Sequence, residues 1–177
     1  MESRRRTGPS TPKRLYDLSG RLTDVTILAT GGIGSGGGWR FEGNTGGYML
    51  LLNDAANVGE PITYTFSGLP TGPYTVYTYA VKPIGEWVPA EVFVAGSTSQ
   101  NPQVVTGPMP GNRFEHLITH SIHEVSVGDG TLAVTVSGPW PDTFVNGIQI
   151  VPVPEPGTLT VLAVGASVLL LVRRRRR

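Results

Sequence analysis

The clearest pattern in the chain is a two-residue alternation of apolar and polar positions. Ile62-Thr63-Tyr64-Thr65-Phe66 places Ile62, Tyr64 and Phe66 on one face of an expected strand. Tyr74 to Val81 is the strongest strand candidate, with Tyr74, Val76, Thr78 and Ala80 on one face and Thr75, Tyr77, Tyr79 and Val81 on the other. Ser121 to Val127 and Thr131 to Ser137 alternate in the same way around Gly128-Asp129-Gly130, which reads as a hairpin turn. The turn cluster Ser67 to Pro73 likewise reads as a hairpin feeding the Tyr74 strand. Shorter strands are expected at 24–29, 48–52, 91–95, 103–106 and 144–151. Gly31 to Gly38 and Asn53 to Glu60 read as loops, and no stretch of the body repeats apolar residues at helical spacing. Eight or nine short strands in one body predict an all-β fold, a two-sheet β-sandwich of jelly-roll type.

The last residues break this pattern. Val153-Pro154-Glu155-Pro156-Gly157 is stiffened by its prolines, which hold Val153 and Glu155 extended. An uncharged run from Leu159 to Val172 follows, and Arg173, Arg174, Arg175, Arg176 and Arg177 end the chain. As a helix, fourteen residues reach roughly 21 Å, short of the ~30 Å hydrocarbon core, and snorkelling arginines recover part of the difference. The arginines act as a stop-transfer block on the cytoplasmic side. The chain then divides into a basic, disordered leader at 1–20, a sandwich at 21–152, a stalk at 153–158, an apolar transmembrane helix at 159–172 and the arginine tail at 173–177.

Pro154-Glu155-Pro156, the short apolar run and the terminal arginines resemble, in that order, the PEP-CTERM sorting signal of bacterial envelope proteins. The resemblance covers 153–177. It implies single-pass membrane insertion, processing by an exosortase-type enzyme at or near Pro154, Glu155 and Pro156, and delivery to the outer surface or extracellular matrix. A plain tail anchor with a proline-rich linker is the competing reading of the same residues. The run Thr63 to Tyr79, with the late Asn146-Gly147-Ile148-Gln149-Ile150, also resembles the carbohydrate-binding-like sandwiches that precede such tails. That resemblance implies exopolysaccharide binding.

Charge and composition narrow the function further. Between residues 21 and 155 only Arg21, Arg40, Lys82 and Arg113 oppose eleven carboxylates. Such a body is a poor partner for nucleic acid, whose binding rests on phosphate neutralisation. The absence of cysteine excludes disulfides, thiolate metal sites and a cysteine nucleophile. Met1 to Arg14 is basic, yet no apolar segment of the kind a secretory signal needs follows it, which suggests a wrong or missing start. Twenty-four glycines and fifteen prolines punctuate the strands and read as turns.

Candidate chemistry is sparse. Gly32, Gly34 and Gly37 match a dinucleotide fingerprint in spacing, but Trp39 to Gly47 is glycine-broken where a helix should open. His116, His120 and His123 are flanked by Glu115 and Glu124, but 120 and 123 point to opposite faces of a strand, so no metal is assigned. No cofactor is assigned either: Asn53, Asp54, Asn57 and Asp142 offer oxygen ligands for calcium without calcium-loop spacing. Glu42, Asp54, Glu86 and Glu91 are the carboxylates a small glycoside- or ester-type hydrolase would pair across a groove. The aromatic residues carry more. Trp39, Trp87 and Trp140 sit beside turn residues, and Tyr77 and Tyr79 share a strand face. Tyr77, Tyr79, Trp87 and Trp140 are therefore the candidate glycan-stacking residues, with core packing as the alternative role for their rings. The expected protein is a non-catalytic envelope or matrix module. The alternatives are the hydrolase and a ligand-free structural spacer.

Overall fold

The computed structural model describes residues 11–40, 54–81, 88–107, 113–139 and 143–154. Among them the fold is all-β and contains no helix. Ten strands form two antiparallel sheets. The larger sheet holds β1 (Lys13–Tyr16), β2 (Leu22–Arg40), β3 (Asp54–Ser67), β8 (Thr131–Ser137), β5 (Ala90–Val94) and β6 (Gln103–Val105) in that order, with β9 (Phe144–Val145) also pairing β3. The smaller holds β10 (Gly147–Pro152), β4 (Gly72–Tyr79) and β7 (His120–Val127), with β4 central.

The alternation places the core where it should lie. Ile62 and Phe66 on β3, Val76 on β4, Val92 and Val94 on β5 and Val134 and Val136 on β8 are buried in one apolar cluster. Each such side chain taken out of water contributes about 1.5–3 kcal/mol. The partly buried Leu15, Ile27, Ile148 and Ile150 of β1, β2 and β10 pack against this cluster.

Period two identifies faces, not partners, and both expected hairpins are corrected. Strands β7 and β8 flank Gly128–Gly130, yet β7 pairs β4 in the small sheet and β8 pairs β3 and β5 in the large one. Strands β3 and β4 also enter different sheets. These two turns are arches across the core, and the Leu69 N–H donating to the Gly130 carbonyl at 3.1 Å ties them together.

Four further expectations change. The glycine run from Gly31 to Gly38, expected as a loop, continues β2 with shifts in register against β3. At Gly31 (φ +103°) a Cβ would clash with the Pro61 carbonyl oxygen, so only glycine lets the two strands meet there. Most of Asn53 to Glu60, also expected as a loop, belongs to β3. Within the leader expected to be disordered, Lys13–Tyr16 forms β1 against β2. The strand expected at 144–151 splits at Asn146. Its backbone N–H donates to the Tyr79 carbonyl (2.9 Å) while its Oδ1 accepts from Val81 N–H (2.6 Å), which lets β9 join one sheet and β10 the other. The expected strand at 48–52, the apolar tail and the arginine block lie outside the described residues.

Candidate functional site

The outer face of the small sheet carries Thr75, Tyr77 and Tyr79 of β4. Tyr77 lies between Gln149 of β10 and Ile122 of β7, and Tyr79 between Gly147 and His120. Around them the rings form one continuous group. The His120 ring centroid is 5.9 Å from Tyr77 and 5.4 Å from Tyr79, and Phe114 stands 5.1 Å from Tyr79. His116 extends the group, 6.1 Å from His120. Tyr79 and His120 are buried beneath their neighbours, Tyr77 is half-exposed, and Phe114 and His116 are exposed. The Tyr79 hydroxyl donates to Gln149 Oε1 at 3.3 Å, placing an amide at the border of the rings.

The segment before β7 builds half of this shelf. Thr119 Oγ1 accepts from Glu115 N–H (2.9 Å) and lies 3.0 Å from the Glu115 carbonyl, while Thr119 N–H donates to that same carbonyl (2.8 Å). Leu117 sits at φ +64°, a strained conformation for a side chain of that size, and its N–H reaches the His120 carbonyl at 2.8 Å. This turn folds 114–116 back beside the start of β7 and brings Phe114 and His116 to His120. Gln103 of β6 fixes it from below: its Nε2 donates to the Ile122 carbonyl and its Oε1 accepts from Ile122 N–H (3.0 Å). That pairing fixes the amide's orientation, so His116 donates from Nε2 to the same oxygen at 3.0 Å.

Burial, reinforced by the charge of His116, holds His120 below the usual imidazole range. Burial and the neighbouring Tyr77 raise the Tyr79 phenol. The site therefore offers the uncharged His120 and Tyr79 rings near neutral pH, with one amide and phenolic hydroxyls beside them, a surface suited to the C–H face and hydroxyls of a sugar.

Of the expected stacking residues, Tyr77 and Tyr79 lie together on this face. Trp87 and Trp140 lie outside the described residues, as do Glu155 and Pro156 of the tripeptide, whereas Pro154 is exposed at the end of β10. Among the carboxylates offered for hydrolysis, Glu91 is exposed on the outer face of the large sheet, remote from the shelf, and Glu42 and Glu86 are outside the described residues. Among the described residues no group of three or more His, Asp or Glu side chains is placed to hold a metal. Sequence reasoning missed Phe114, His116, His120 and Gln149 as members of the site. His120 had a signal, since parity with Ile122 and Glu124 sets it on the face opposite His123.

His123 marks the other side of the same strand. It is wholly buried on the inner face, beside Ser121 and opposite β4, whose Thr78 pairs with Ser121. Both His123 ring nitrogens, Ser121 Oγ and Thr78 Oγ1 lack a hydrogen-bonding partner among the described residues. Burial, with a smaller contribution from the His116 charge, pushes His123 down to about 4.

No protein-family model matches the chain, and no curated protein does. Solved structures give distant likenesses. A family GH115 4-O-methyl-α-glucuronidase with specificity for decorated arabinogalactans aligns with 66% of this chain at 17% identity and a TM-score of 0.41, and this chain spans 16% of it. The CBM35 from Cellvibrio japonicus Abf62 aligns with 74% of this chain and 95% of its own length, at 13% identity and a TM-score of 0.39. TmCBM61, solved with β-1,4-galactotriose, aligns with 81% of this chain and 90% of its own length, at 17% identity and a TM-score of 0.33. At these scores and identities the likenesses carry no argument about this chain's ligand.

Proposed function

We propose that this chain is a non-catalytic envelope module whose jelly-roll-like sandwich binds neutral polysaccharide on the outer face of its small sheet. The observation that supports this reading is the continuous group of Tyr77, Tyr79, His120, Phe114 and His116, bordered by the Gln149 amide. Flat rings at a solvent boundary gain little by staying wet and contribute contact area to a sugar ring at low entropic cost. The apolar tail holds the module in the membrane as a single-pass segment. An exosortase-type enzyme then processes it at Pro154-Glu155-Pro156 and delivers it to the outer surface or matrix.

Tyr77 gives the cleanest test because it is half-exposed and stands beside His120, where the rings meet. Tyr77→Ala should weaken retention in a gel containing a neutral polysaccharide by about 1–2 kcal/mol, roughly five- to thirty-fold. Its melting temperature should stay near that of the parent. A collapse of the melt would make Tyr77 a structural ring, and unchanged retention would remove the shelf from the binding account.

A further inference from the structure

The two sheets part along one side of the sandwich, where, among the described residues, β1 is an edge of the large sheet and β10 an edge of the small one. A groove of about 820 Å³ lies between these edge strands. Tyr16 and Leu18 of the β1–β2 hairpin line it from one side, and Ile148 and Ile150 of β10 from the other. Sites for small ligands run from roughly 300 to 1,000 Å³, so the groove is of that size.

It is continuous with the ring shelf. Tyr79 and Gln149 belong to both, and the Tyr79 hydroxyl reaches β10 at Gln149 Oε1 (3.3 Å). Gly147, which pairs with Tyr79, adds no side chain between that ring and the groove. From β7 over β4 to β10 the shelf crosses two strand spacings, about 10 Å. The groove carries the same path beyond β10.

Much of the lining is aliphatic, but the strand edge supplies polar groups. Val153 N–H donates to the Pro73 carbonyl at 2.9 Å, and β10 pairs β4 residue for residue from Gly147 to Pro152. Bonded positions alternate in an antiparallel pair, so Gly147, Gln149 and Val151 bond to β4. The N–H and C=O groups of Ile148 and Ile150 therefore point away from β4, into the groove. Two open residues are too short a ladder for an added strand, whose usual length is about five or six. They are donors and acceptors for hydroxyl groups.

Charge and aromaticity narrow the occupant. Among the described residues Asp17 is the only charged side chain lining the groove, which offers no cation to an anionic polymer. Tyr16, 70% exposed on β1, places a second ring on the far side from Tyr79. An exposed ring beside edge amides suits the C–H face and hydroxyls of a further sugar.

We infer that the groove continues the ring shelf, that Tyr16 is its outer stacking residue, and that the ligand is a run of several neutral sugars bound along its length. The inference rests on the reading of the shelf as a polysaccharide site.

Calorimetric titration of the full chain, in a detergent without a sugar headgroup, tests it with cello-, manno- and galacto-oligosaccharides of two and of six units. In the series that binds, six units should bind about tenfold tighter than two. Tyr16→Ala should reduce the six-unit affinity about five- to tenfold and leave the two-unit affinity unchanged. Tyr16→Phe, which keeps the ring, should match the parent, and Tyr77→Ala should weaken both lengths. Equal affinity for the two lengths, or six-unit binding that Tyr16→Ala leaves unchanged, overturns the groove and leaves the shelf standing. If no oligosaccharide binds, or Tyr77→Ala binds both lengths like the parent, shelf and groove fall together.

Discussion

Acidification from pH 7 to pH 4 should cost the sandwich on the order of 2–3 kcal/mol through His123. The imidazole is neutral in both states above its ordinary value of 6.5 and contributes no pH dependence there. Below 6.5 the unfolded chain takes up a proton that the buried ring refuses, so stability falls until the pH nears the folded value of about 4. His123→Leu should flatten that slope between pH 6.5 and 4 in urea unfolding curves. It should also raise stability at pH 7 by about 1 kcal/mol or more, because two buried ring nitrogens without a protein partner leave the core with the histidine. Thr78→Val and Ser121→Ala, which remove the other two unpaired atoms, should act in the same direction. If His123→Leu keeps the acid slope, the titrating group lies elsewhere. If it destabilises by several kcal/mol, the ring has a packing role that outweighs its polarity.

The second large effect is expected at the tail. On the proposed sorting reading, the apolar run is too short for a comfortable permanent anchor and the five arginines would stop its transfer. Glu155 is the only charge between Asp142 and Arg173 and, on that reading, would give a membrane enzyme a polar handle on an otherwise uncharged segment. The variant combining Pro154→Ala, Glu155→Gln and Pro156→Ala should leave nearly all of the protein at full length in the membrane fraction. The parent should lose its arginines, as intact mass would record. Release of the variant at the parent's rate, or a parent that keeps its arginines, would make the segment a plain anchor.

The sequence was a good guide to faces and a poor one to partners. Ile62, Phe66, Leu132, Val134 and Val136 point inward because side chains alternate on a pleated strand, and alternation is visible without a structure. Nothing in Ser121 to Ser137 tells a hairpin from an arch, since both need a glycine turn between alternating strands. The difference lies in which sheet has room for the next strand. The glycine run of β2 carries no period at all, and its place in the sheet follows from pairing with β3.

The site divides the same way. Tyr77 and Tyr79 were legible because they are two residues apart on a strand. Phe114 and His116 were not, since they arrive through a turn held by Thr119 and by Leu117 at φ +64°, a conformation that leucine does not announce. Gln103, the side-chain clasp under that turn, looks like an ordinary polar position on a short strand. The inter-sheet His123 was readable as the opposite parity to His120, but its lack of a partner is a property of packing.

The central claim is that the ring shelf is where polysaccharide binds. The most direct measurement is a backbone and side-chain NMR titration of the isotope-labelled protein with a panel of soluble neutral oligosaccharides. The account predicts saturable shifts centred on Tyr77, Tyr79, His120, Phe114 and Gln149, with the outer face of the large sheet around Glu91 and the inner face around His123 unmoved. Shifts centred on another surface, or none with any oligosaccharide of the panel, would contradict it.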